Sequence, residues 1–165
     1  MPAVDARRSR VYAAEQQVAR LLDRAARGAT TVDFFGSTLT VPVERRFGDV
    51  ASMQRWVDGV LDLQPVLDRW PGTPPCQVRE RRGGTKAHYQ PPSEIAVPTS
   101  AWATRELVLC HELAHHLAHH DPDAPPDEPG HGPAWVAAYL DLVGIVVGLE
   151  VALLLRAGLD EASAR

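Results

Sequence analysis

The segment HELAHHLAHH, residues 111–120, constrains the fold most, because it places five histidines in ten positions. On a helix with 100° per residue, His111 and His115 lie one turn apart and about 40° from each other, so both imidazoles can reach one metal ion. Glu112, at about 100°, lies beside them and points past the metal toward its water. This HExxH pattern predicts a helix that binds metal through His111 and His115.

The other three histidines of the segment are predicted not to bind the metal. His116 and His120 point away, at about 140° and 180°. Ligands at three successive turns span about 12 Å of helix, so an ion that met both His111 and His119 would crowd His115. We therefore expect a solvated, polar helix end at His116, His119 and His120.

A hydrolytic zinc site needs a third protein ligand and leaves a fourth position to water. Asp121 has the spacing of the last metzincin ligand, but that pattern needs a glycine where this chain has Ala118. Glu150 is a second acidic candidate, without a supporting motif around it. His131 is favoured, because it follows the loop DPDAPPDEPG and precedes Gly132 and a proline that suits the first turn of a helix. Asp121 and Glu150 stay open as alternatives.

Composition favours one soluble domain over residues 1–165. A chain of 165 residues with 45% hydrophobic content can build one core, and a net charge of −4 gives no general attraction to nucleic acid or anionic lipid. Cys76 and Cys110 lack metal-binding spacing, which favours a reduced, cytoplasmic protein. No apolar run is suited to export or to spanning a membrane. The oligomeric state is not predicted.

Periodicity predicts an α+β fold. A helix is expected from Val11 to about Gly28, with an apolar face made of Val11, Ala14, Val18, Leu21 and Ala25. Further helices are expected after Asp49, from about Ser100 to His120, and from Pro133 onward. TVDFFGSTLTVPVE is typical of a β-hairpin centred on Gly36–Ser37. Three short strands follow in CQVRERR, TKAHYQ and EIAVP, the first two joined at Gly83–Gly84, which gives a small, mostly antiparallel sheet.

Two segments, LVLCHELAHHL and HGPAWVAAYLDLVG, resemble the pattern of SprT-like zinc metallopeptidases, in which a third histidine opens the next helix in an HGxxF/W-type motif. The resemblance implies His111, His115 and His131 as ligands and Glu112 as catalytic acid/base. More widely, VYAAEQQV, TLTVPVERRFGDV and AHY resemble a small actinobacterial family of HExxH metallohydrolases, which implies a zincin-like α+β domain and no settled substrate.

The chain also departs from the families it resembles. It has no cysteine zinc ribbon and no extensive basic surface, which argues against the DNA-linked activity of SprT-like proteins. HELAHHLAHH satisfies the HExxHxxxH form of ImmA/IrrE-type peptidases as well, but their downstream glutamate motif is not apparent. The substrate therefore stays unspecified.

The predicted activity is zinc-dependent hydrolysis, most simply of a peptide or protein. Zinc on three neutral imidazoles lowers the pKa of its water from about 15.7 toward 7. Glu112 would accept that water's proton and pass it to the leaving nitrogen. Tyr139, His88 and Tyr89 are candidates for oxyanion stabilisation or substrate binding. The alternative is a non-catalytic, zinc-stabilised binding or regulatory module, which would have no need of Glu112.

Three further features bear on substrate binding. SEIAVP is predicted as an edge strand above the active-site helix, either pairing with an extended peptide or simply ending the sheet. Trp102, placed early in that helix, either covers one end of the cleft or packs. A predicted basic hairpin, ordinarily a solvated charged face, comprises Arg79, Arg81, Arg82 and Lys86. We expect a peptide or protein substrate and no membrane or nucleic-acid partner.

Overall fold

A computed structural model of the chain describes residues 7–163. Within this range the protein is α+β, as predicted, and it has six helices and two small sheets. The helices are α1 (Arg8–Ala26), α2 (Val50–Leu61), α3 (Gln64–Arg69), α4 (Glu106–His120), α5 (Pro133–Val146) and α6 (Leu149–Ser163). The strands are β1 (Thr31–Phe34), β2 (Ser37–Thr40), β3 (Gln77–Glu80), β4 (His88–Gln90) and β5 (Glu94–Val97).

The predicted hairpin is confirmed in β1 and β2, which pair antiparallel with Thr31 opposite Thr40. Its turn lies at Phe35 and Gly36, one residue earlier than expected. Both residues have positive φ, 49° and 81°. Two-residue hairpin turns of this kind match the right-handed twist of the strands they join.

The three-stranded sheet has the order β3-β5-β4, which corrects two expectations. β3 and β4 do not pair across Gly83–Gly84, because β5 lies between them, parallel to β3 and antiparallel to β4. The segment SEIAVP is therefore the central strand and not the edge strand. The physical reason is burial: Ile95, Ala96 and Val97 are all 0% exposed, which suits the position paired on both sides. The sheet is accordingly mixed.

The predicted start of α2 is confirmed. The carboxylate of Asp49 accepts a hydrogen bond from the backbone amide of Ser52 (2.7 Å), and the Ser52 hydroxyl bonds back to the Asp49 amide. This capping box satisfies amides that have no partner within the helix. The proline-rich stretch does end α2, but it also contains the short helix α3, which the pattern did not predict.

α1 buries one face against α6 and the core. Val11, Ala14, Val18 and Ala25 are buried as the periodicity predicts, with Leu22 completing the face. Leu21, which the periodicity assigned to that face, is only half-buried. Because α1 also contacts α4 through side chains described below, the amphipathic face of this helix positions polar groups beside the histidines.

α4 begins at Glu106 and not at Ser100, since residues 101–103 form a turn. Trp102 therefore lies before the helix. The buried Glu44 carboxylate anchors the helix start: it accepts from the Leu107 amide (2.9 Å) and from the Arg105 guanidinium (2.6 Å). A carboxylate suits this place because the first helical amides lack partners and carry partial positive charge. The start of the histidine helix is thus fixed by a residue far away in sequence.

Both cysteines are free and buried, as expected. Among the described residues, no helix combines the length and the apolar character that crossing a membrane requires.

Candidate metal site

α4 and the start of α5 bring three histidines together. His111 and His115 lie one turn apart on α4, and His131 stands two residues before α5, which packs on α4. One ring nitrogen from each lies within 4.8 Å of the others, and the group could hold a metal ion. The three residues are those predicted to converge, although they are 20 positions apart at the widest.

The spacing of the nitrogens suits a small metal ion. The Nε2 atoms of His111 and His131 are 3.2 Å apart. Two nitrogens bound to zinc at about 2.0–2.1 Å in tetrahedral geometry lie roughly 3.3 Å from each other. A cation between them would take the place of the hydrogen bond that these two nitrogens can form when one of them carries the proton. The donor set of three imidazoles therefore fits a bound metal.

Glu15, on α1, holds His111 from the side opposite to the metal position. Its Oε1 atom lies 2.6 Å from His111 Nδ1 and also accepts from the Tyr139 hydroxyl (2.8 Å). A proton on Nδ1 leaves Nε2 free to bind metal, which is the usual role of a carboxylate behind a ligating histidine. Burial lowers the pKa of His111, but the Glu15 carboxylate more than offsets this, and the net shift is upward.

Burial also perturbs the other two titratable groups of HExxH. It lowers the pKa of His115 to about 2, helped by the neighbouring His111 and His131, so this imidazole is neutral near pH 7. The pKa of Glu112 is raised, chiefly by burial and in part offset by His111. A neutral His115 is ready to bind metal, and Glu112 takes up a proton more readily than a solvated glutamate.

Trp135, on α5, packs against all three imidazoles. Its ring centre lies 4.8 Å from that of His111, 5.1 Å from His115 and 4.6 Å from His131. Its indole N–H points to the His111 carbonyl (3.4 Å), and Tyr139 stacks on its other side. This aromatic packing limits the rotation of the three rings.

The remaining histidines of α4 do not belong to the three-nitrogen group, but one expectation about them is wrong. His116 is 0% exposed, and its Nε2 donates to the Pro74 carbonyl (2.8 Å), so it is not part of a solvated helix end. It points away from the metal position into the packing between α4 and the chain around residues 74 and 89. His119 is exposed, and His120 is half-buried with its Nε2 2.6 Å from the Pro92 carbonyl.

The two acidic alternatives for the third ligand lie elsewhere. A carboxylate oxygen of Asp121 is 3.7 Å from the Arg69 guanidinium, and Glu150 is exposed on α6. Neither joins the nitrogen group that the described residues form.

The three candidates for oxyanion stabilisation occupy different places. Tyr139 is 0% exposed and its hydroxyl donates to Glu15. Tyr89 stacks on His115, with its hydroxyl bonded to the Pro92 carbonyl. The Nδ1 atom of His88 is buried and has no hydrogen-bond partner among residues 7–163. Of the three, only Tyr89 lines a cavity that borders the histidines.

Two cavities flank the histidines. The first, called the α1 cavity, has a volume of about 470 Å³ and borders His111 and Glu112. The second, called the loop cavity, has about 520 Å³ and borders His115, Tyr89 and the loop before His131. The three-histidine group is thus accessible to small or extended molecules from two sides.

Residues that the sequence did not single out complete the site. Tyr12 stacks nearly parallel to His111 at 5.9 Å, and Glu15 binds the same ring. Their signal in the sequence is only that of polar positions on an amphipathic helix. Comparisons with known protein families, with curated proteins and with solved structures found no match to this chain.

Proposed function

We propose that this protein is a zinc-dependent hydrolase of peptide or amide bonds with a zincin-like, SprT-like arrangement. The observation that carries the proposal is the convergence of His111, His115 and His131 next to a buried glutamate, Glu112. Both flanking cavities reach this point.

Zinc is the metal that this donor set suits best. The candidate ligands are three imidazole nitrogens within 4.8 Å of one another, and catalytic zinc sites characteristically use three protein ligands with one position left for water. Zinc bound in this way would polarise a carbonyl and make water a nucleophile near neutral pH.

The proposed role of Glu112 is proton transfer. It follows His111 directly, is 6% exposed and lines the α1 cavity. In this position its carboxylate would accept the proton of the attacking water and then give it to the leaving nitrogen. His111, held by Glu15, and His115, packed on Trp135, would keep fixed orientations through both steps.

β4 is the strand placed to receive an extended substrate. It lies at the edge of the three-stranded sheet and contacts α4, and residues on either side of it line the two cavities: Ala87 the α1 cavity and Pro91 the loop cavity. A peptide running along a free strand edge is held by backbone hydrogen bonds that do not depend on its sequence. In the sequence, SEIAVP is a candidate for this role; because SEIAVP forms the central strand, we assign the role to β4, which has the sequence HYQ.

A non-catalytic zinc module is the competing function. A structural zinc site is ordinarily closed by four protein ligands. Here the group found within residues 7–163 has three, and open cavities border it. These observations favour catalysis.

The decisive experiment compares the wild type with Glu112→Gln and with Glu150→Gln. Casein and a mixed peptide library serve as substrates, and bound zinc is measured on the same preparations. We expect Glu112→Gln to keep one zinc per chain and to lose all cleavage, because the amide cannot accept the proton of the attacking water. Glu150→Gln, an exposed change of the same chemistry, should keep both.

Cleavage by Glu112→Gln at the wild-type rate would overturn the assignment of Glu112. A wild type that binds zinc and cuts neither substrate would favour the non-catalytic module.

A further inference from the structure

The α1 cavity opens directly beside the proposed catalytic groups. Three parts of the chain form its walls: α1 with Ala19, the segment before β4 with Ala87, and the turn and first part of α4 with Trp102 and Val108. His111 and Glu112 also line it.

The walls of this cavity offer apolar contacts. Of the charged groups that line it, Glu15 bonds to His111 and Tyr139, Arg105 bonds to Glu44, and Lys86 is exposed, while the buried Glu112 is the proposed proton carrier. Trp102 is 46% exposed, which leaves a large apolar ring facing solvent. A side chain that enters the cavity therefore exchanges water for contact with the carbon atoms of these walls.

We propose that the α1 cavity is a specificity pocket for an apolar side chain, aliphatic or aromatic, on the substrate residue next to the cleaved bond. The inference rests on the proposed function and deepens it. The pocket and the reacting centre share Glu112 as a wall, so a substrate whose carbonyl meets the metal has its adjacent side chain at the cavity mouth. A volume of about 470 Å³ admits a side chain as large as leucine or phenylalanine, and each of these would bury more apolar surface there than alanine.

The preference is expected on one side of the site only. The loop cavity has ionisable walls, among them His119, Asp121 and Glu128, and its other lining residues include several prolines. An apolar side chain gains less there, since polar walls would lose water without gaining partners. Substrate side chains on the two sides of the cleaved bond therefore contact different walls, apolar in the α1 cavity and ionisable in the loop cavity.

A binding test separates this pocket from turnover. Aminoacyl hydroxamates of alanine, leucine, phenylalanine, lysine and glutamate, which bind zinc through the same group and differ in one side chain, are titrated into the zinc-loaded protein by calorimetry. We expect the leucine and phenylalanine compounds to bind about 10-fold or more tightly than the alanine compound, as for other apolar pockets. The lysine and glutamate compounds should gain nothing over alanine.

Two matched variants identify the pocket. Ala19→Leu places a larger side chain in the cavity and should reduce the preference for phenylalanine over alanine about 10-fold. Ala13→Leu makes the same change on an exposed position of α1 outside the cavity, and the preference should stay as in the wild type.

The outcomes for the pocket and for the proposed function differ. Tighter binding of the glutamate compound than of the leucine compound would overturn the pocket; Lys86, which lines the cavity, would favour that result. An apolar preference that survives Ala19→Leu would also overturn it, and so would the failure of every compound to bind. A clear apolar preference without cleavage of any peptide supports the pocket and counts against the peptidase. Cleavage of the peptide library without apolar preference beside the cut bond supports the peptidase and overturns the pocket.

Discussion

Replacing Glu15 by glutamine should weaken zinc binding although Glu15 does not reach the metal position. The carboxylate lies 2.6 Å from His111 Nδ1 in a buried setting and accepts a second hydrogen bond from Tyr139. Glutamine keeps the size and one acceptor oxygen but removes the negative charge that makes the imidazole a stronger donor to metal. Removing such a partner usually lowers metal affinity about 10- to 100-fold, or roughly 1.4–2.7 kcal/mol.

The assay is competition for zinc with a chelator of known affinity, at constant pH. The same titration on Glu150→Gln gives the control for loss of an exposed carboxylate, and thermal unfolding of the metal-free proteins gives the structural contribution. A role limited to packing would lower the unfolding temperature of metal-free Glu15→Gln and leave its zinc affinity unchanged. Zinc affinity within twofold of the wild type would refute the orienting role of Glu15.

Three more outcomes can be measured. His131→Ala should weaken zinc binding by orders of magnitude in the same competition assay, whereas His119→Gln, at an exposed position, should stay within a few fold; the reverse order would move the third ligand onto α4. Gly132→Ala should lower the free energy of unfolding by about 0.5–2 kcal/mol in chemical unfolding. The Glu128 carboxylate caps α5 by accepting from the Ala134 amide, and a Cβ at position 132 would lie 2.1 Å from Glu128 Cγ and displace it. An unchanged unfolding midpoint would show that the cap is dispensable. Burial raises the pKa of Cys76 to about 12, so at pH 8 only about one Cys76 thiol in 10⁴ is ionised. Because both cysteines are buried, a thiol reagent should label neither of them until the protein unfolds. Rapid labelling of the folded protein would contradict this.

The metal site could largely be predicted from the sequence, because its ligands obey local rules. Helical spacing places His111 and His115 on one face, and a loop followed by Gly132 and Pro133 marks where a third ligand returns. The structure brings His131 to that place. These signals need no knowledge of distant contacts.

What surrounds the ligands could not be predicted, because it depends on tertiary packing. Glu15 is 96 residues from the histidine it holds, and nothing near it in sequence distinguishes it from other polar positions of α1. The angle of His116 on α4 correctly directs it away from the metal, but whether that direction meets solvent or protein depends on the segment that carries Pro74. Burial follows from the packing of distant elements and not from helical angle alone.

The strand order was missed for a related reason. Gly83 and Gly84 are typical of a hairpin, and the pattern gave no signal that a third strand would insert between the two it joins. Burial of Ile95 and its neighbours decides the order, because the most apolar strand gains most from the central place. The strand proposed to bind the substrate is therefore β4 and not the segment SEIAVP.

The hydrogen bond between Glu15 and Tyr139 joins residues 124 positions apart, which affects how the protein acquires its metal during synthesis. A ribosome adds about 5–20 residues each second, so α1 emerges several seconds or more before α5. Until then the two histidines of α4 have neither their third ligand nor the tyrosine that helps to hold Glu15. Contacts so distant in sequence form late in folding. Under the proposed zinc-dependent function, tight zinc capture therefore waits until His131 and Tyr139 have been made, and we expect a nascent or truncated chain that ends before His131 to compete poorly for cellular zinc.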